Sequence, residues 1–358
     1  MSDTLPPGAM IGILGGGQLG RMLSVAAARL GLRCHIYDPA PNPPAAQVAE
    51  RVTTAAWEDR EALVAFAASV DVVTYEFENV PAASLDAIEA IRPIRPGRRA
   101  LAVSQERIAE KDFLTSLGLV TAPYRRVITR DDLTQALAEI GAPAILKTTR
   151  LGYDGKGQAR IRHLEEADHA FTAMAGAEAV LEGFVSFSRE VSVIAARGLD
   201  GSVAAYDPGE NVHREGILHT TRVPATLTSA QRSDAVLIAA RILNALDYVG
   251  VMGVELFVTE TGLLVNEIAP RVHNSGHWTQ NGCVVDQFEQ HIRAVAGWPL
   301  GDGHRIADVE MENLVGDDVQ RVPELAQQAN TALHLYGKSE ARPGRKMGHV
   351  NRIIPAGR

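Results

Sequence analysis

At 358 residues, 46% hydrophobic and 22% charged, the chain has the size and composition to bury two or three ordinary globular cores. Its net charge of −8 argues against nonspecific nucleic-acid binding, which needs surplus positive charge to displace counterions from phosphates, and no uncharged apolar run approaches the ~20 residues of a membrane span. Cys34 and Cys283 are the only cysteines, too few for a disulfide framework and without metal-site spacing, and MSDTLPPGAM lacks the basic-then-apolar order of a signal peptide, so a reducing cytoplasm is the expected setting.

From Met10 to about Arg99 the pattern alternates: an apolar strand to Leu14, an Ala-rich helix to about Leu30, a strand to Tyr37 and another over residues 70–75. Such alternation predicts a parallel sheet with covering helices. Gly15, Gly17 and Gly20 fit G-x-G-x-x-G, and Asp38 follows at the spacing of a ribose-binding acid. Alone, this favours a nicotinamide dehydrogenase. No later segment supplies a hydride-transfer site, so the motif is read as a tight turn at a helix N-terminus that favours anions, with Gln18 beside it as a hydrogen-bonding side chain.

A helix is expected from near Ser104, carrying Arg107 and Lys111, and then a strand over 144–147. The loop Gly152-Tyr153-Asp154-Gly155-Lys156-Gly157-Gln158 follows. Its glycines let backbone N–H groups converge on phosphate oxygens, and Lys156 adds a charge. A flexible hairpin turn is the plain alternative, against which Lys147, at the end of the entering strand, weighs. A strand over 179–182 ends at Gly183-Phe184-Val185, where backbone groups and Glu182 can read an adenine edge.

Strands around 191–196 and 203–206 and a helix over about 229–246 come next, with Glu190 and His213 on or near the strands; a lone histidine is more often structural. Then residues 253–258 and 263–265 form apolar strands joined by a four-residue turn of hairpin composition. If Val258 pairs with Leu263, Glu255 and Glu267 fall almost opposite each other. Two carboxylates held together need a cation between them. Asn266, Arg271, His273, Asn274 and His277 follow within one short stretch, a density of polar groups that is costly without a ligand. Trp278 reads as a packing aromatic. Near the C-terminus Lys338, Arg342, Arg345, Lys346 and Arg352 are offset only by Glu340, and Gly344 suits a loop that approaches a ligand closely.

NEIAPRVHNSGHWTQNG, preceded by VGVMGVELFV, resembles the signature of the N5-carboxyaminoimidazole ribonucleotide synthetase family, ATP-grasp enzymes of purine biosynthesis. GILGGGQLGRML, TYEFENVP, GYDGKGQ and RPGRKMGHVN extend the likeness over nearly the whole chain. The resemblance implies an α/β chain, α+β in its ATP-grasp part: a Rossmann-like N-terminal domain over 1–106, an ATP-grasp lid over 107–187 and a C-terminal ATP-grasp subdomain over 188–358. It implies ATP-dependent carboxylation of 5-aminoimidazole ribonucleotide by bicarbonate through carboxyphosphate, with magnesium, or manganese in its stead, on Glu255 and Glu267. Arg271, His273 and Asn274 are then catalytic. ATP falls to Arg107, Lys147, the 152–158 loop, Glu182, Gly183, Phe184, Val185, Glu190, His213, Asn266 and Glu267. The ribonucleotide falls to Gln18, Leu19, Glu76, Asn79, Tyr153, Asp154, Lys338 and Arg345. A homodimer is implied too. A formate-dependent phosphoribosylglycinamide formyltransferase of the same superfamily is the alternative enzyme, and a noncatalytic nucleotide-binding module has no use for the Arg271-His273-Asn274 group.

Overall fold

A computed structural model describes residues 4–150 and 157–354. The first sheet is parallel, in the order β3-β2-β1-β4, from β1 (Met10–Leu14), β2 (Arg33–Asp38), β3 (Arg51–Thr54) and β4 (Val72–Tyr75). β1 and β4 are buried along their whole length, as strands covered on both faces must be. The edge strand β3 was not anticipated, because its residues are largely exposed and carry no apolar run. β4 starts two residues later than expected: Asp71 accepts a hydrogen bond from the Met10 N–H ahead of the ladder.

The second sheet is antiparallel, in the order β5-β8-β6-β7, from β5 (Tyr124–Val127), β6 (Ala144–Thr148), β7 (Gln158–Ile161) and β8 (Ala179–Gly183). Leu133, Leu137, Leu146 and Leu181 pack in its core. The helix expected from Ser104 is two helices, Arg98–Ser104 and Arg107–Ser116. Glu106 separates them by accepting from the N–H groups of Ile108 and Ala109, which caps the second helix and sets Arg107 on its first turn.

The third sheet contains β9 (Arg189–Arg197), β10 (Val203–Ala205), β11 (Gly209–Arg214), β12 (Ile217–Val223), β13 (Gly250–Thr259), β14 (Gly262–Ala269), β15 (Asp308–Val315), β16 (Thr331–Leu335) and β17 (Lys346–Ile354). Its order is β14-β13-β9-β11-β12-β15-β17-β16, with β10 on β9. The helix Gln287–Ala296 joins it to the parallel sheet: Arg29 bridges Asp286 and Glu289 at 2.9 Å each, and Thr74 Oγ1 meets His291 Nε2 at 2.8 Å. One apolar cluster accordingly runs from Ile11, Ile13 and Leu23 to Trp278, Phe288 and Met311. The C-terminal ends of β1 and β4 are thereby held against the segment that follows β14.

Candidate active site

The hairpin of β13 and β14 pairs Val258 with Leu263 and Glu255 with Glu267. A regular ladder from that turn would set Glu255 opposite Asn266; a bulge at Glu255/Leu256 shifts the register by one. Bulges leave an extra residue unpaired and re-aim side chains. Here Asn266 is the extra residue, and its Nδ2 lies 3.4 Å from Glu255 Oε2. Burial, and then the charge of Glu267, push the Glu255 carboxyl up to about 7. Arg107 Nη1 reaches Glu267 at 3.3 Å. Beneath, Glu110 accepts from the Ile268 N–H at 2.7 Å, and burial with the Glu267 charge pushes its carboxyl up to about 8.

The segment after β14 turns back over this pair. Arg271 was expected to offer a planar fork to a small anion, but Glu78 already takes it, with Nε–Oε2 at 2.5 Å and Nη2–Oε1 at 3.2 Å. A third N–H goes to the Val272 carbonyl, so two of five donors remain without a partner among the described residues. Although burial opposes its charge, Glu78 is held down to about 2 by that guanidinium. His273 sits on Gly253, where an added Cβ would come within 2.7 Å of the His273 Cβ. Its Nε2 is 3.5 Å from Glu255 Oε1, and its Nδ1 is 2.8 Å from Ser275 Oγ. Burial, then Arg271, depress its pKa to about 3, so the ring is neutral. Asn274 and the buried Asn313 exchange reciprocal amide hydrogen bonds of 2.9 and 2.8 Å. Gln287 clamps the segment, accepting from the His273 N–H at 2.9 Å and donating to the His273 carbonyl at 2.8 Å. His277 and Trp278 are buried, and Trp278 meets Tyr206 edge to face.

At the second sheet, Lys147 Nζ is 2.9 Å from Glu182 Oε2, with the buried Lys111 Nζ 3.4 Å from the same oxygen. Lys147 thus has a carboxylate partner, where a side chain open to phosphate was expected. Glu182 Oε1 is buried without a hydrogen-bond partner among the described residues. The N–H groups of Gly183 and Phe184 are taken by the carbonyls of Pro123 and Pro143, whereas Val185 makes no backbone hydrogen bond among the described residues. Glu190 meets His213 at 2.5 Å; burial disfavours the imidazolium, but this partner prevails and raises the His213 pKa. Gly152, Tyr153, Asp154, Gly155 and Lys156 lie outside the described residues; Gly157 and Gln158 are exposed.

The glycine turn is already filled from within. Glu76 accepts from Gly17 N–H at 2.5 Å and Gly20 N–H at 2.8 Å, and Asp38 accepts from Gly16 N–H at 2.6 Å and Ala40 N–H at 2.7 Å. These carboxylates take the place of an outside anion at the helix start. Both Asp38 oxygens are thus engaged by the turn, and Glu76 is buried. The Leu19 side chain packs in the apolar core, which leaves only its backbone for a ligand. Gln18 is half-buried, and Asn79 is exposed at a crevice shared with Glu78, Arg107 and Glu267. The C-terminal loop returns here, because Gln47 Nε2 donates to the Gly337 carbonyl at 2.8 Å. Lys338 Nζ donates to the Lys346 carbonyl, and burial, then Arg345, lower its pKa to about 8. Arg345 donates to the Glu340 carbonyl. Arg352 leaves the basic cluster, held by Glu312 at 2.7 Å. A larger surface groove between Val120, Leu237 and Leu263 gathers none of these groups.

Sequence reasoning missed Glu78, Glu110, Ser192, Ser275, Gln287 and Asn313. Only Glu78 left a signal, in the acid repeat at 76 and 78 just beyond β4.

A parallel sheet, an antiparallel four-stranded sheet and a large antiparallel sheet meeting at paired carboxylates define a protein of the ATP-grasp class, and residues 112–288 match the ATP-grasp domain family. Residues 9–105 match the ribonucleotide synthetase preATP-grasp domain, and 310–355 the phosphoribosylaminoimidazole carboxylase C-terminal domain. The N5-carboxyaminoimidazole ribonucleotide synthase of Brucella melitensis is 55% identical over 98% of both chains. A crystal structure of an N5-carboxyaminoimidazole ribonucleotide synthetase in its ADP complex superposes with a TM-score of 0.96 at 41% identity, over 99% of this chain and 95% of that one. The Aspergillus clavatus enzyme, solved with ADP and 5-aminoimidazole ribonucleotide, gives 0.92 at 31% identity over 98% and 94%. The chain belongs to the N5-carboxyaminoimidazole ribonucleotide synthase family.

Proposed function

We propose that the chain joins bicarbonate to the exocyclic amine of 5-aminoimidazole ribonucleotide at the expense of ATP, releasing ADP and phosphate, as a step of purine biosynthesis. The observation that carries this reading is the Glu255–Glu267 register pair, with Arg107, Asn266 and His273 around it. Glu255 is raised by burial first and then by the neighbouring Glu267 charge, and a cation between the two relieves that repulsion. Among the described residues no group of three or more His, Cys, Asp or Glu side chains forms a ready-made metal cage. Magnesium on Glu255 and Glu267 would then complete its shell with phosphate oxygens and water, neutralising and aligning the triphosphate.

ATP lies between the second and third sheets in this reading. Glu182 Oε1, a buried acceptor without a partner among the described residues, and the Val185 backbone read the adenine edge; Glu190 and His213 hold the ribose. Lys147, Arg107, Asn266 and the 152–158 loop hold the phosphates. Bicarbonate oxygen attacks the γ-phosphorus, and ADP leaves with the electron pair of the broken bond. The two remaining Arg271 donors, His273 and the free Asn274 N–H fix the carboxylate end of the resulting carboxyphosphate. The ribonucleotide lies across Gln18, the Leu19 backbone, Glu76, Asn79, Tyr153 and Asp154, with its phosphate near Lys338 and Arg345. Its amine then attacks carboxyphosphate, or the carbon dioxide released from it. The chain divides functionally at 1–106, 107–187 and 188–358, a division supported by the separate sheets. The enzyme acts as a cytoplasmic homodimer.

Omitting each substrate in turn while following ADP tests the reaction. ADP release that needs bicarbonate and the aminoimidazole ribonucleotide together supports it; release driven by formate and glycinamide ribonucleotide overturns it.

A further inference from the structure

Behind His273 lies a line of buried hydroxyls that the reaction itself does not require. Ser192, on β9, and Ser275 are 2% and 1% exposed. Ser192 Oγ donates to Ser275 Oγ at 2.7 Å, and Ser275 Oγ meets His273 Nδ1 at 2.8 Å. A hydroxyl has one proton to give. With Ser192 donating into Ser275, the Ser275 proton has one acceptor among the described residues, the Nδ1 of His273. Were Nδ1 protonated instead, two donors would face each other and the Ser275 hydroxyl would be left buried without an acceptor, which is unfavourable. The imidazole proton is thereby directed to Nε2, the nitrogen that faces Glu255 Oε1 at 3.5 Å.

We propose that Ser275 and Ser192 are positioning residues that fix the tautomer of His273, so that it presents an N–H donor, not a lone pair, to the reaction centre. Two other contacts restrict the same residue. Gln287 grips its backbone from both sides, and the close approach to Gly253 seats the ring. The serine pair supplies what those contacts cannot, the choice of which nitrogen carries the proton. The hydrogen-bond argument stands on the chain alone; its consequence for turnover rests on the carboxylation reading. His273 then donates to an anionic oxygen of bicarbonate or carboxyphosphate and takes no proton through Nε2.

The test reads the tautomer directly, through nitrogen-15 shifts of histidine-labelled protein, with the His273 signals assigned by their loss in His273→Gln. Wild-type protein should show Nε2 protonated and Nδ1 bare. A protonated Nδ1 overturns the proposal, whatever the enzyme's substrate. Ser275→Ala should mix the tautomers and lower kcat on the order of tenfold, the scale at which loss of an outer partner of a working histidine is felt, with the KM for ATP unchanged. Ser275→Cys, which keeps a weak donor, should recover part of that loss. Ser192→Ala should give a smaller effect, and adding it to Ser275→Ala should cost nothing more, because both act along one line. Should Ser275→Ala fail to fold, Ser192→Ala and the wild-type shifts still decide. An unchanged tautomer and kcat in the folded Ser275→Ala protein overturn the idea. A bare Nδ1 in a protein without carboxylase turnover instead overturns the reaction and leaves the serine assignment standing.

Discussion

Two carboxylates facing each other across one register pair repel, and burial together with that repulsion pushes the Glu255 carboxyl up to about 7. Glu267→Gln removes the repulsion and the charge together while keeping the volume. The variant should fold at least as stably as the parent and lose about 3–4 kcal/mol of transition-state stabilisation, on the order of a hundred- to thousandfold in kcat. Near-normal turnover at ordinary magnesium would sink the metal assignment. Arg271 calls for a different comparison. Arg271→Lys keeps a charge beside Glu78 but cannot span both of its oxygens and still face a second anion. ADP formation should collapse while ATP binding stays close to that of the parent. Glu78→Gln should likewise lower kcat, by loosening the guanidinium. A strong fall in ATP affinity with unchanged bicarbonate dependence would move Arg271 to the nucleotide. The resemblance marked Arg271, but its pairing with Glu78 left no local trace, because 193 residues separate them.

The hairpin shows where reading an element from sequence succeeds and where it stops. Apolar alternation and a four-residue turn gave two strands and brought the acids together, yet the regular register misses by one. The bulge at Glu255 supplies the difference. A bulge is set by what packs around it, here the Asn266 contact and the Glu110 clamp on Ile268, and neither is local to the strand. Glu110→Gln, which can still accept from the Ile268 N–H and stays neutral, should preserve stability at pH 7. Glu110→Leu orphans that N–H and should destabilise by roughly 1–3 kcal/mol. Equal stability of the two variants in urea would show that the clamp contributes nothing. The C-terminal loop makes the opposite case. Its glycines suit a loop that approaches a ligand closely, and Gln47 to Gly337 brings it to the N-terminal turn. Lys338→Ala and Arg345→Ala should raise the ribonucleotide KM, lower kcat to a lesser degree and leave the KM for ATP in place, since a nonreacting phosphate contributes binding that positions the amine. An effect on ATP alone, or on neither substrate, would return the cluster to a solvated surface.

At the scale of the whole molecule, periodicity marked β1, β2 and β4 and the β13–β14 hairpin, but not β15, β16 and β17, nor the way the sheets share one core. That shared core is dense in buried imidazoles, which composition alone cannot reveal. His35 is held down to about 4 by burial and Arg51, His291 to about 3 by burial, and His273 to about 3 by burial and Arg271. His277 and His349, with ring centroids 4.5 Å apart, lie well below the ordinary value, again through burial first. Each is neutral when folded and takes up a proton when unfolded below pH 6.5, so each lowers stability as pH falls from 6.5 toward its folded value. Glu255 and Glu110, raised to about 7 and 8, act in the other sense, since they keep their protons when folded and lose them when unfolded above about 4.5. Between pH 6 and 5 six histidines, with the half-buried His334 the sixth, work against three carboxyls, with the buried Glu76 the third, leaving a net uptake of at most about three protons on unfolding, or roughly 4 kcal/mol per pH unit as an upper figure. His213, where burial opposes the charge but Glu190 prevails and raises the pKa, works in the same sense as the raised carboxyls. Urea unfolding at pH 6 and pH 5, without nucleotide or magnesium, should therefore show a loss of several kcal/mol, a large part of the ~5–15 kcal/mol typical of a folded protein. Magnesium and ATP should steepen the loss, because a cation beside Glu255 lowers its folded pKa and removes one of the opposing carboxyls. A stability that stays level or rises between pH 6 and 5 would mean that the buried rings carry protons when folded, and the neutral state assigned to His273 would fall with it.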